Sequence, residues 1–444
     1  MIYNLDMETM ERGALKKLQY RRLMNTLRRV IGSVGHYRLK MVQADVGIED
    51  IQSLDDISKL PFTTKDDLRD TYPFGMFAVP QHEVIRIHGS SGTSGKPTIV
   101  GYTEKDIGCW SEIVARSIAA AGGKKGDLFH IAYGYGLFTG GLGLHYGAEQ
   151  LGMTAIPMSA GNTDRQITVI NDLQPQGICG TPSYMLNLAE RMEEKGFNPR
   201  QSNLAYGIFG AEPWSEEMRA ILEDKWGITA VDIYGLSEVM GPGVAVECQE
   251  EQNGLHIAED HFIAEIIDPS TLLPVEEGKE GELVFTSLTK EALPIIRYRT
   301  GDIASLSSVP CSCGRTSIKM SRIKGRTDDM MIIRGVNVFP SEIERLLLQY
   351  KELVPHYQIH LKTKGSMDEI NLHIELQDDL YNHLGQNLAH ENLSRLKSDI
   401  KHTIKANCLV NTEITICRPK EIARSEGKAI RVIDWKKQQS NLFS

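Results

Sequence analysis

No run in this chain approaches the ~18 consecutive apolar residues that a membrane-spanning helix needs. The stretch from Met1 to Val30 is dense in charge and has no apolar core of the secretory-signal kind. Cysteines are few and odd in number, seven in 444 residues. In a long chain without a signal, that count fits a reducing compartment better than a disulfide framework. A cytoplasmic protein is expected. An excess of basic charge is also missing. Lys and Arg number 49 against 58 Asp and Glu, a net charge of −9, which argues against broad nucleic-acid binding. An anionic ligand can still be met locally by lysines, backbone amides and a divalent cation. Internal repeats and low-complexity runs are absent too.

What is present is length enough for two or more domains with cores of their own. One stretch stands out: Ser90-Ser91-Gly92-Thr93-Ser94-Gly95-Lys96-Pro97-Thr98. It lies between two apolar runs, Val84–His88 and Thr98–Tyr102, that read as strands. A loop of small residues lets backbone N–H groups approach a polyanion closely. The hydroxyls add donors and Lys96 adds charge, so a nucleotide triphosphate tail is the expected ligand. The loop is not a Walker motif. Position 90 is Ser where that motif has Gly, and Pro97 follows Lys96 where it has Ser or Thr. The plain alternative is a flexible surface loop.

Residues 8–41 carry Leu15, Leu18, Leu23, Leu27, Val30 and Val34 at helical spacings. The basic residues between them read as the solvated face of a docked helix. Thr63-Thr64-Lys65-Asp66-Asp67 has the chemistry of a helix start. Lys65 there is either solvated or reaches toward a carboxylate or phosphate. A helical pattern covers 104–122 and a strand pattern Asp127–Ala132. From 151 to 235 short apolar runs alternate with helical patterns over 163–173, 183–195 and 214–226. Such alternation implies a parallel sheet with ligands at the carboxyl ends of its strands. The turns Gly210-Ala211-Glu212-Pro213 and Tyr234-Gly235-Leu236-Ser237-Glu238 lie at such ends. In Tyr133 to Gly143 glycines alternate with aromatics. This suits either a flat-walled apolar pocket or a tightly packed helix start. From about 255 to 305 the pattern is β. After Gly325–Asp329 a smaller α+β unit of about 120 residues follows, within the usual domain size range. It has a helix capped at Ser341, a hairpin across Gly365, a helix marked by Leu393 to Ile404 and a strand at Ile414 and Ile416.

Five segments in this order and spacing resemble the adenylate-forming superfamily. They are Ser90–Lys96, Tyr234–Glu238, Tyr298-Arg299-Thr300-Gly301-Asp302, Gly325-Arg326-Thr327-Asp328-Asp329 and Arg424-Ser425-Glu426-Gly427-Lys428. The strings Tyr133–Gly141, Ser287–Pro294 and Ile332–Pro340 look like its phenylacetate–CoA ligase branch. The resemblance implies an α/β fold. A large N-terminal AMP-binding domain, 1–325, would have mixed sheets, flanking helices and a small β region. A small mobile α+β domain, 326–444, would turn on a hinge near Asp328. It implies an ATP-dependent aryl-acid CoA ligase, with phenylacetate or a close relative as the acid. Acyl-CoA, AMP and diphosphate would form by way of an acyl-adenylate. Ser90, Ser91, Gly92, Thr93, Ser94, Gly95 and Lys96 would hold the β- and γ-phosphates. Glu238 would bind Mg2+ and Ser237 would contact the α-phosphate. Gly210, Ala211, Glu212, Pro213 and Tyr234 would flank adenine, with Asp232, Gly235 and Ile323 in the same ATP site. Asp302 would receive the ribose hydroxyls and Arg326 would add a ribose or phosphate contact. Lys428 would be the mobile lysine of acid activation, and Lys65 joins it and Glu238 as a catalytic candidate. Tyr135, Phe138, Gly140, Gly141 and Ala211 would hold the acid. Arg334, Gly335, Val336 and Asn337 would line the channel for CoA. A homodimer is implied, with no nucleic-acid or membrane partner. Two other readings stand: adenylation with transfer to an amine or carrier protein, and a non-catalytic nucleotide-binding protein.

Cys311-Ser312-Cys313-Gly314 places two thiols on a tight turn. With Cys248 and His256 upstream they would make a Cys3His set suited to structural Zn2+. Free thiols are the alternative.

Overall fold

The computed structural model describes residues 1–90, 97–333, 336–364 and 367–434. It divides into two compact units. The larger comprises Met1–Thr181, Asn198–Ala211 and Trp226–Ile323; the smaller comprises Pro182–Phe197, Glu212–Lys225 and Lys324–Ser444. Two helical segments from before residue 325 thus group with the C-terminal region. Side chains at 183, 187, 190 and 212 bond to the 424–429 segment.

Among its described residues the larger unit carries a nine-stranded mixed sheet. Strands Thr154–Ile156, Leu128–Ile131, Gly177–Gly180, Tyr206–Gly210 and Thr229–Leu236 run parallel in that spatial order. Gly241–Val246, Leu255–Ile257, Lys319–Met320 and Leu306–Ser307 extend it antiparallel. Gly177–Gly180 and Tyr206–Gly210 are buried throughout. That explains why they read as unbroken runs of small and apolar residues rather than alternating ones. A second, antiparallel sheet is built from Phe262–Ile267, Gly281–Ser287 and Tyr298–Ala304.

The helix Glu104–Ala120 opens on a reciprocal cap. Asp106 N donates to Thr103 Oγ1 at 3.1 Å, and Thr103 N donates to the Asp106 carboxylate at 2.9 Å. Its buried face meets the helix Gly140–Leu151 almost backbone to backbone. A Cβ on Gly143 would stand 2.5 Å from Trp110, and one on Gly147 would stand 2.3 Å from Val114. Trp110 stacks on Tyr102 with centroids 5.2 Å apart, and its Nε1 donates to Pro242 O at 2.9 Å. These contacts fix the turn between Thr229–Leu236 and Gly241–Val246.

Three local expectations need correction. The helix over 8–41 is two helices, Arg12–Ser33 and Gly35–Gln43, because Val34 is extended at φ −108° and ψ 107° between Gly32-Ser33 and Gly35. The first strand is Arg86–Ser90 rather than Val84–His88, its register set by pairing with Thr98–Tyr102. The helix of the smaller unit starts at Pro340, not after Ser341. Pro is tolerated there because a first-turn N–H has no helical partner, and Glu342 Oε2 accepts from Phe339 N at 3.4 Å. Ser341 Oγ instead donates to Lys324 O.

In the smaller unit the hairpin Leu353–Lys364 and Met367–Leu376 pairs Tyr357 with Ile374 and Leu361 with Ile370. Thr412–Cys417 and Val432–Asp434 flank it in parallel. Helices Pro340–Leu347 and Glu391–Cys408 share its core through Ile343, Leu347, Leu396 and Ile400. Among the described residues no helix is long and apolar enough to cross a membrane.

Candidate active site

In the larger unit the expected residues converge through a chain of short contacts. Strand Arg86–Ser90 delivers the phosphate-loop candidate. Gly89 N donates to Leu137 O at 2.9 Å, and His88 Nδ1 lies 3.0 Å from the same carbonyl. Ser90 Oγ is buried and has no hydrogen-bond partner among the described residues. Ser91 to Lys96 lie outside the described residues. Two residues on from Leu137, Thr139 Oγ1 meets Ser237 Oγ at 3.1 Å. Ser237 and Glu238 follow the carboxyl end of Thr229–Leu236, and each is only 5% exposed. Gly235 is required in this turn, because a Cβ there would lie 1.9 Å from Gly241 O.

Beside this turn is a cavity of about 120 Å3, walled by Tyr133, Phe138, Gly140, Ala211, Leu236 and Pro242 among others. Small apolar cavities of ~150 Å3 take up benzene, so a single aromatic ring is the right scale of occupant. Ala211 turns the chain out of strand Tyr206–Gly210 at φ +67°. A non-glycine residue in that region is strained, and such strain collects at functional sites. The glycine–aromatic stretch both lines a cavity and packs tightly at a helix start. Phe138 and Gly140 face the cavity. Gly141 packs on the Gly134 carbonyl, where a Cβ would lie 2.6 Å from the oxygen. Tyr135 points its hydroxyl at His145 Nδ1, 3.2 Å away. Neither Tyr135 nor Gly141 is on the cavity wall.

The nucleotide candidates are joined in the same way. Tyr234 donates its hydroxyl to Asp302 Oδ2 at 2.6 Å and stacks on Phe285 at 6.1 Å. Asp302 is buried and its N–H donates to Thr300 Oγ1 at 3.0 Å. Strand Tyr298–Ala304 is itself anchored by Arg299 on Glu282 and by Thr300 Oγ1 on Leu283 O. A Cβ on Gly210 would lie 2.2 Å from Ile233 O, so that strand end accepts only glycine. Asp232 pairs with Arg322 at 3.5 Å, and Ile323 is half-buried against the main core. Lys65 is half-buried in the first turn of Lys65–Asp70, and its side chain has no hydrogen bond or ion pair among the described residues.

In the smaller unit Arg326 and Asp328 are partners, at 2.7 and 3.2 Å. Val336 and Asn337 lie on strand Val336–Val338, with Asn337 exposed, while Arg334 and Gly335 lie outside the described residues. Lys428 is exposed, and its carbonyl accepts from Ser425 Oγ at 2.9 Å.

Lys290 is a residue that sequence reasoning missed. It is 2% exposed. Its Nζ has no hydrogen-bond partner among the described residues and stands 4.4 Å from the Tyr102 ring centroid. Tyr102 in turn donates to Met240 O at 2.7 Å, two residues past Glu238. Asp106 holds the lysine's neighbours, accepting from Glu291 N at 2.6 Å and Ala292 N at 2.9 Å. Burial pushes the Lys290 pKa down to about 8, while the charges of Asp106 and Glu238 oppose that fall. The folded chain therefore releases this proton before the unfolded chain does. Its contribution to stability rises with pH between about 8 and the ordinary lysine value of 10.5. Lys290→Met removes the cost of burying the ammonium. The gap between its urea midpoint and the parent's should narrow, in the parent's favour, as pH rises through that window. A gap that does not vary with pH would contradict the assignment.

Cys248, His256, Cys311 and Cys313 form a separate cluster whose ligand atoms all lie within 4.8 Å of one another. Cys248 Sγ is 3.5 Å from Cys311 Sγ, and Cys313 Sγ is 3.4 Å from His256 Nε2. The other His256 nitrogen lies 3.2 Å from Ser317 Oγ, an outer partner of the kind that orients a metal-binding imidazole. The donor set fits tetrahedral Zn2+.

Two family models match the chain. One described as AMP-binding enzyme covers residues 40–289, and one described as AMP-binding enzyme C-terminal domain covers 335–436. The chain is 51% identical over 428 residues to a phenylacetate–coenzyme A ligase of Pseudomonas putida, with 96% of each chain covered. It is 50% identical over 438 residues to a phenylacetate–coenzyme A ligase of Escherichia coli strain K12, with 98% of each covered. A crystal structure of 2-hydroxyisobutyryl-CoA ligase, in the postadenylation state with R3-HIB-AMP, matches with a TM-score of 0.92. It is 28% identical, and the match covers 100% of this chain and 94% of that one.

Proposed function

Because the chain belongs to the AMP-binding enzyme family, and within it to the phenylacetate–coenzyme A ligases, we propose that it activates phenylacetate as its adenylate and passes the acyl group to CoA. The observation that carries this reading is the ring-sized cavity lined by Ile233, Gly235, Leu236 and Ser237, at the end of the strand Thr229–Leu236 that also carries Tyr234, whose hydroxyl donates to Asp302 on the neighbouring sheet.

The chemistry follows from what a carboxylate lacks. Hydroxide is a hopeless leaving group, so the acid needs a better one. A carboxylate oxygen attacks the α-phosphorus of ATP, the bond to the β-phosphate breaks and diphosphate leaves. CoA, as its thiolate, then attacks the acyl carbon and the bond to AMP breaks. The first step is mainly positioning and charge neutralisation. Ser90 to Lys96 cradle the outgoing phosphates, Ser237 meets the α-phosphate, and Asp302 receives the ribose. Glu238 is the residue that would hold Mg2+, which supplies charge neutralisation at the phosphate oxygens. Lys428 brings the ammonium. Asp328 is the pivot about which the C-terminal domain, from residue 326, turns between the two steps, and Arg334 to Asn337 line the path of the pantetheine. Cys248, His256, Cys311 and Cys313 would hold a structural Zn2+, away from the chemistry. A homodimer in the cytoplasm completes the reading.

The test is diphosphate release across aromatic and aliphatic acids, with and without CoA. Phenylacetate should give the highest turnover and a thioester by mass spectrometry. Release indifferent to CoA, with no thioester, would favour transfer to an amine or carrier protein.

A further inference from the structure

Lys428 lies in a run of Arg, Ser, Glu and Gly that a free chain would spread over many conformations. In the smaller unit it is held instead. Glu212 uses both carboxylate oxygens for this. Oε1 accepts from Ser183 N at 2.8 Å, and Oε2 accepts from Ala429 N at 2.9 Å. Ser183 Oγ donates to Gly427 O at 3.2 Å. The residues on both sides of Lys428 are therefore tied to one Glu212–Ser183 pair. Asn187 Nδ2 donates to Ser425 O at 3.2 Å, and Ser425 Oγ closes the turn on Lys428 O. At the base of the segment Arg424 grips Glu375 at 2.7 and 2.8 Å and Glu190 at 3.2 Å. The second Glu190 oxygen lies 2.9 Å from His356 Nε2. Ser183 is buried and Glu212 half-buried, while Lys428 itself is exposed. The backbone is thus fixed while the ammonium stays available.

We propose that Glu212, with Ser183 and Asn187, forms a latch that positions Lys428 for acid activation, so that Glu212 serves the C-terminal segment rather than the nucleotide. The inference rests on the reading of Lys428 as the adenylating lysine. A charge-stabilising donor is effective only when it is already in place as charge develops. The carboxylate suits that task, because each oxygen accepts a backbone N–H at short range. Glutamine cannot replace it, since its NH2 group would face a backbone N–H donor. When the segment leaves for thioester formation these bonds must open, so the latch belongs to the first step only.

The test uses the full chain and two half-reactions. These are phenylacetate-dependent ATP–diphosphate exchange, and thioester formation from supplied phenylacetyl-AMP and CoA. Glu212→Gln and the pair Ser183→Ala/Asn187→Ala should each lower exchange on the order of tenfold or more, the scale of a lost hydrogen bond to a charged group. Thioester formation should fall far less, so the ratio of the two rates drops. The pair provides the result if Glu212→Gln does not fold. Equal loss in both half-reactions, or a raised KM for ATP with kcat unchanged, would overturn the latch. So would exchange that survives both variants while Lys428→Ala abolishes it. If Lys428→Ala itself leaves exchange intact, the fault lies in the reading of Lys428 and not in the latch.

Discussion

Lys428→Ala should lower ATP–diphosphate exchange by about 10²–10³-fold, the cost of removing one preorganised charge-stabilising donor. Thioester formation from supplied phenylacetyl-AMP should keep most of its rate. The reason lies in when the charge appears. In the first step a carboxylate approaches a polyphosphate, and negative charge gathers on the α-phosphate oxygens. Under the proposed role, the Lys428 ammonium would meet that charge without first having to be ordered, because its backbone is pinned at Gly427 and Ala429. In the second step AMP departs with its charge already delocalised, and the same lysine has less to offset. Lys428→Arg should recover part of the exchange. It restores the charge but not the compact point geometry of an ammonium. Loss of both half-reactions in parallel would show that the residue supports the fold or binds substrate, not the transition state of activation.

The second large effect is expected at the cysteine cluster. If Cys248, His256, Cys311 and Cys313 hold Zn2+ as proposed, Cys311→Ser should abolish metal binding and lower stability by several kcal/mol, because a structural zinc site couples binding to folding. The damage should spread to the N-terminus. Arg315, two residues past Cys313, donates to Glu8 Oε2 and to Met1 O, each at 2.7 Å. Thr316 bonds Glu8 O at 3.1 Å and Met10 O at 2.7 Å. Arg12 reaches Glu259 from the same segment. A turn that loses its metal frees these anchors, so the first dozen or so residues should become sensitive to protease while the turnover of surviving enzyme changes little. Purified parent that contains no metal, and a variant that melts with the parent, would contradict this.

The helix expected over 163–173 is Thr163–Leu173, because its apolar positions have one period and one buried face. The parallel strands were legible as short apolar runs ending in glycine or turn residues. The break at Val34 was not, since Val34 continues the apolar period and is fully buried in an extended conformation. At the site, Ser237, Tyr234 and Asp302 could be named from their motifs; that Tyr234 bonds Asp302 and Ser237 meets Thr139 could not. Lys290 could not. A lysine between Thr289 and Glu291 reads as solvated, and its burial depends on Tyr102 and on Asp106, which bonds Ala292 across 186 positions of sequence. In the sequence only Cys311 and Cys313 are neighbours, with Cys248 and His256 more than fifty residues upstream. What brings them together is strand pairing that sets His256 opposite Lys319, close to the Cys311–Cys313 turn. Alternation cannot say which aromatic in a turn faces inward, and Tyr135 is off the wall of the cavity beside Ser237. His145 draws its hydroxyl away.

On the proposed route a carboxylate oxygen becomes bonded to phosphorus on the way to the thioester. Phenylacetate labelled with oxygen-18 in its carboxyl group, turned over with ATP and CoA, tests this at the atom concerned. AMP should emerge carrying a single labelled oxygen, with the thioester carbonyl keeping the other. Unlabelled AMP, or label found in inorganic phosphate, would mean that the acid is activated by another route.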